Sequence, residues 1–115
     1  MTLDEIHALH PKGADAAKLR SAITHAEELR ASLLQQASEL EQTRQAGLLT
    51  LEAHAILQAE QKAAEARLDA DRIEALIPAM EQDWRTVAAN ETLADLRQAV
   101  GPVIAATIAL EGWKK

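Results

Sequence analysis

The sequence predicts an all-α fold: a long antiparallel helical hairpin of coiled-coil type, with a short N-terminal helix and kinked C-terminal helices. The chain of 115 residues contains 25 Ala, the best helix-forming residue, and neither Phe nor Tyr. No stretch alternates apolar and polar residues as a half-buried strand would. Apolar residues recur instead at steps of three and four, which is heptad spacing. A core of Ala, Leu and Ile is thin, so we expect an elongated molecule, an oligomer, or both.

We expect a single domain, residues 1–115, that begins with an N-terminal arm over residues 1–13. Thr2 and Glu5 have the spacing of a capping box, which predicts a short helix. Pro11 and Gly13 should stop that helix. Its apolar face consists of Leu3, Ile6 and Leu9. We interpret this face as a small contact patch on a separate arm.

Residues 14–90 are predicted to form the hairpin, with Asp15 as a cap of its first helix. The first apolar stripe comprises Leu19, Ile23, Ala26, Leu33, Ala37 and Leu40. Arg30 occupies one core-type position of this stripe. It acts either as a register device or as an exposed side chain whose stem alone packs. The second stripe comprises Leu49, Ile56, Ala59, Ala63, Ala66, Ala70, Ile73, Ile77, Met80, Trp84 and Val87.

The phase of the two stripes slips by about two residues at Gly47. A turn explains the slip if Gly47 adopts the left-handed conformation and Thr50 caps the next helix. The alternative is one unbroken helix from about 14 to 90, because a single Gly costs a helix only about 1 kcal/mol. That rod would need partner chains along its whole length. Pro78 lies within the second stripe and predicts a kink.

Residues 91–115 are predicted to form C-terminal helices and a tail. Asn90 should end the second hairpin helix, and Thr92 should cap a short helix that stops at Gly101. The segment 103–110 is apolar nearly all round, so a helix there must be buried. We expect the hairpin to offer it only one wall, which leaves the remainder for another chain. Trp113 begins the tail.

Charge and composition argue against several classes of function. The net charge is −6, and Lys and Arg are interspersed with acids. We therefore expect neither a nucleic-acid nor a membrane partner. There is no Cys, and His7 and His10 have no third residue at metal-ligand spacing. No nucleophile elbow, phosphate loop or dinucleotide fingerprint occurs, so we expect no cofactor, no metal and no enzymatic activity.

These observations predict a non-enzymatic structural or assembly protein. It would be a homo-oligomeric helical component of a larger complex, for example the connector, neck, tail or fibre of a phage-type virion. The alternative is a small adaptor or chaperone-like hairpin that binds one protein partner. Either would be cytoplasmic, or assembled into a particle made there. The predicted interface residues are Leu3, Ile6, Leu9, Met80, Trp84, Val103, Ile104, Ile108 and Trp113.

Overall fold

The computed structural model describes the backbone of residues 1–113 and the side chains of residues 1–99. It contains three helices: α1 (Leu3–Ala8), α2 (Ala16–Gly47) and α3 (Ala53–Trp113). The molecule is a rod of 95 × 22 × 15 Å. The longest dimension is close to the ~90 Å expected for a straight helix of 61 residues. Helix α3 therefore sets the length of the molecule, and it continues through Pro78.

Helices α2 and α3 pack against each other, which confirms the predicted helical hairpin and excludes the single long rod. The two predicted stripes form the packed face. Leu19, Ile23 and Ala26 on α2 are at most 2% exposed, as are Ala70, Ile73 and Met80 on α3. The remaining buried members of the two stripes are Leu33, Ala37, Ala59, Ala63 and Ala66. Because much of this face is Ala, the two backbones can lie close together.

The turn between α2 and α3 covers residues 48–52, slightly later than predicted. Gly47 ends α2 without a positive φ, so the left-handed conformation predicted for it is wrong. Its carbonyl accepts hydrogen bonds from the amides of Thr50 and Leu51. Thr50 lies in the turn and is not the cap of the next helix, as the sequence had suggested. α3 begins at Ala53, and the carbonyl of Glu52 accepts hydrogen bonds from the amides of Ala55 and Ile56. Leu49, assigned above to the second stripe, is 99% exposed.

The N-terminal helix is not a separate arm, as the sequence had suggested. Thr2 and Glu5 form the predicted capping box. Gly13, with a φ of 66°, turns the chain between α1 and α2. Asp15 then caps α2, because its side chain accepts a hydrogen bond from the amide of Lys18. α1 then lies along α3, and Ile6 joins the hydrophobic core of the hairpin.

The structure also differs from the sequence-based expectation after residue 90, because α3 continues without a break to Trp113. Thr92 does not cap a new helix. Its hydroxyl donates instead to the carbonyl of Ala88 at 3.0 Å, a local bond that is compatible with a helix interior. Asn90 and the Gly101-Pro102 pair are likewise accommodated within one helix. The predicted C-terminal helices are thus the distal part of α3.

Candidate interaction surfaces

Two polar contacts fix α1 on α3. The α-amino group of Met1 lies 2.9 Å from Oδ2 of Asp69, whose residue is only 8% exposed. At the other end, Nε2 of His10 lies 2.8 Å from Oδ2 of Asp83. The first contact raises the pKa of the Met1 amino group, mainly through the hydrogen bond to Asp69. Since the two contacts lie 14 residues apart on α3, they define both the position and the direction of α1.

This docking decides what the predicted N-terminal contact patch can offer to another protein. Ile6 is 3% exposed and packs inside the chain, and Leu9 is half-buried against the same core. Leu3 alone remains largely exposed, at 54%. The patch is therefore mostly satisfied within the chain, and Leu3 is the member still available on its surface.

Met80 and Trp84 were predicted as contact anchors on α3. Met80 is fully buried in the hairpin core. Trp84 is half-buried beside that core, and the Arg20 guanidinium lies 5.5 Å from its ring centroid. A cation over an indole face is attracted by the ring quadrupole. Both side chains thus help to hold α2 on α3 within one chain.

Arg30 lies at the rim of the core. Its side chain is 36% exposed, and Nη2 lies 3.3 Å from Oε2 of Glu74 on α3. Its buried Nε has no hydrogen-bond partner. The stem packs beside the core while the charged end reaches the surface, which is the second of the two arrangements considered from the sequence.

Two further ion pairs cross the hairpin nearer the turn. Arg67 makes a bidentate contact with Glu41, with Nε–Oε1 and Nη2–Oε2 distances of 2.7 and 2.8 Å. The hydrogen bond with Arg67 lowers the pKa of Glu41, and the same bond raises the pKa of Arg67. Arg44 pairs with Glu60. Exposed pairs of this kind contribute little to stability, so we regard them as contacts that set the register of the helices.

Two histidines near the N-terminus lie beside an acidic residue of α3. His7 and His10 share a shallow groove with Asp83, but His10 is already bound to that carboxylate. Within residues 1–99, no group of three or more His, Asp or Glu side chains is placed to hold a metal ion. The open groove between α2 and α3 near the turn is lined by Glu41, Arg44, Glu60 and Arg67, and these four side chains form two ion pairs across the hairpin. In the described part of the chain, no helix is both long and apolar enough to cross a membrane.

The distal part of α3, residues 92–113, continues beyond the point where α2 begins. The amide of Ala16, the first residue of α2, donates to Oε1 of Glu91 at 3.1 Å. The part of α3 that lies alongside α2 therefore reaches to about residue 91. Every residue from 91 to 99 is exposed, including Leu93 at 50% and Leu96 at 53%. The side chains of the other predicted interface residues, namely Val103, Ile104, Ile108 and Trp113, lie outside the described residues.

Four exposed leucines of α3 were missing from the sequence-based set of interface residues. Leu57 and Leu68 are 62% and 50% exposed along the hairpin, and Leu93 and Leu96 lie beyond it. A search for the heptad stripe of the hairpin core does not find them, because they lie on other faces of the helix. For three of them a signal was present: the spacing of 11 and 25 residues from Leu57 to Leu68 to Leu93 keeps these leucines on one side of a helix with 3.6 residues per turn.

Comparison with known proteins gives no family for this chain: no protein-family model, no curated protein and no solved structure matches it.

Proposed function

We propose that this chain is a non-enzymatic structural protein that acts as a homo-oligomeric helical component of a larger complex. One observation carries the proposal: α3 runs past the end of the hairpin, from residue 92 to Trp113, with exposed leucines at its start. Within the described side chains, every residue from 92 to 99 is exposed. The proposal covers viral and cellular assemblies alike.

The physical argument starts from the cost of a lone helix. The projecting part would span about 33 Å at a rise of ~1.5 Å per residue. Helices in proteins are stabilised mainly by burial of an apolar face, and an isolated one is marginal in water. Leu93 and Leu96 are about half exposed in the single chain. The sequence from 103 to 110 is apolar nearly all round, as expected for a helix that is buried in an assembly.

The test is the molar mass of the purified full chain in solution, measured by light scattering over a concentration series. The proposal expects a stable oligomer whose mass is a whole multiple of 12.5 kDa. A chain that stays monomeric at all concentrations would contradict self-assembly. That result would favour the adaptor, in which a different protein covers the same part of α3.

A further inference from the structure

A line of exposed, uncharged residues runs along the side of α3 that faces away from α2. At about 100° per residue, these positions lie within about 20° of one line parallel to the helix axis. We call this line the outer row; it comprises Leu57, Ala64, Leu68, Ala75, Gln82, Thr86 and Leu93. Each of them is exposed. A solvent-facing helix side normally carries charged residues, so their absence from this line calls for an explanation.

The outer row is distinct from the packed face of the hairpin. Ala75 lies nine residues from the buried Ala66, which places it half a turn round the helix. Helix α1 lies to one side, over Asp69 and Asp83, and leaves the row uncovered. The row therefore remains an open, elongated surface after the chain has folded.

Resting on the proposed function, we propose that the outer row is the seam by which α3 packs, parallel and in register, against α3 of a second copy of this chain. In such a pair, related by a two-fold axis parallel to the helices, each residue of the row meets itself. Leu57, Leu68 and Leu93 would then pack against their own copies. Ala64 and Ala75 between them would allow the two backbones to approach closely.

Charges on the two flanks of the row support a second copy as the partner. Arg67 and Glu65 lie on opposite flanks, as do Glu74 with Arg72 and Arg85 with Asp83. Within each of these pairs the two residues are two positions apart, or about 3 Å along the axis. A parallel pairing brings one flank of the first copy against the other flank of the second. Each of the three pairs then joins opposite charges between copies. One member of each pair, namely Arg67, Glu74 or Asp83, already has a partner within the chain, so the contact between copies would add a second opposite charge to that existing pair.

The same charges oppose an antiparallel pairing. Centred on Ala75, that arrangement would bring Arg85 of one copy to within about 3 Å, along the axis, of the height of Arg67 on the same flank of the other. It would likewise bring Asp83 of one copy to within about 3 Å of the height of Glu65 of the other. Like charges that face each other across a helix interface are unfavourable. The parallel arrangement is therefore the one that the surface fits.

The size of the seam is sufficient for a dimer. The row from Leu57 to Leu93 spans about 54 Å, and with a helix about 10 Å wide it covers ~500 Å² on each copy. The pair would bury about 1,000 Å² in total, the lower limit for a specific interface. The same steps of seven and four continue in the sequence to Val100 and Ile104, so a parallel pairing would extend into the distal part of α3.

The experiment uses single cysteine variants, since the chain has no Cys of its own. We expect Ala64→Cys and Thr86→Cys each to form a disulfide between copies of the full chain under mild oxidation. The matched control is Ala31→Cys, an exposed position on α2. Residues that meet themselves should cross-link at least about tenfold faster than the control, because pairing raises their effective concentration.

Two results would overturn the proposal. Cross-linking of both variants at the rate of the Ala31→Cys control would exclude the outer row as the seam. Disulfides formed only in a mixture of Ala64→Cys and Thr86→Cys chains would show an antiparallel pair. If light scattering shows an oligomer while either result holds, the proposed seam is wrong and the proposed function stands. If the chain is monomeric, both are wrong.

Discussion

The α-amino group of Met1 lies 2.9 Å from the Asp69 carboxylate, so the first residue of the chain is paired with a side chain in the middle of α3. Asp69 is buried to 8% exposure, and a buried carboxylate needs a partner of opposite charge. The pair places the start of α1 over α3 and brings Ile6 into the core. An apolar helix face that would otherwise be exposed is thus covered by the chain itself.

This pair predicts a pH dependence that Asp69→Asn should abolish. The folded chain raises the pKa of the Met1 amino group above its ordinary value of 8.0. The stability from the pair is therefore complete below pH 8 and is lost as the pH rises through the higher folded pKa. Thermal unfolding at pH 7 should give Asp69→Asn a lower Tm than the unmodified chain, and the difference should shrink towards pH 10. Asp71→Asn, an exposed neighbour, is the control; a difference that does not change with pH would contradict the prediction.

The packed face of the hairpin predicts a large loss of stability for Ile73→Ala. Ile73 is fully buried in the core cluster, so truncation removes buried methyl groups and leaves a cavity. We expect the free energy of unfolding in urea to fall by about 2–5 kcal/mol. Leu49→Ala, at a position 99% exposed in the turn, should change it by less than about 0.5 kcal/mol. Similar losses for the two variants would mean that α2 and α3 do not pack as described.

Gly47 and Leu51 should be energetically coupled at the turn. A Cβ added to Gly47 would overlap Cδ1 of Leu51, so the leucine side chain would have to move. Gly47→Ala alone should therefore fail to deliver the gain of about 1 kcal/mol that Ala has over Gly in a helix. In a Leu51→Ala background the same substitution should deliver it. Equal effects of Gly47→Ala in the two backgrounds, measured by urea unfolding, would show that the contact does not matter.

The proposed assembly predicts that Leu93→Glu lowers the molar mass in solution. Leu93 is half exposed beyond the hairpin, and Glu has a similar helix propensity to Leu, so the helix content should persist. A charge buried in an apolar seam is costly, so we expect the oligomer to dissociate at concentrations where the unmodified chain is assembled. Light scattering gives the mass, and circular dichroism the helix content. Leu49→Glu is the control, and an unchanged mass for Leu93→Glu would contradict the prediction.

Local rules predicted most of the helical architecture. Capping at Thr2 and Asp15 depends on side chains that bond their own neighbouring amides, so the sequence alone determines it. The buried stripes on α2 and α3 follow from helical periodicity, which places every third or fourth residue on one side. Partner chains along a single rod could also have buried those two sides, so the hairpin itself is established by the packing of α2 on α3.

Tertiary packing decided the rest. The sequence shows that Ile6 is apolar, but only the fold shows that α3 covers it and that Met1 reaches Asp69, 68 residues away. Thr92 could cap a new helix or lie within a longer one. The structure has the second arrangement, in which the Thr92 hydroxyl bonds to the carbonyl of Ala88. The exposed leucines of α3 likewise could not be recognised as a surface from the sequence. Periodicity shows which residues share a side of a helix, but a side becomes an exposed surface only once the positions of α1 and α2 determine what remains uncovered.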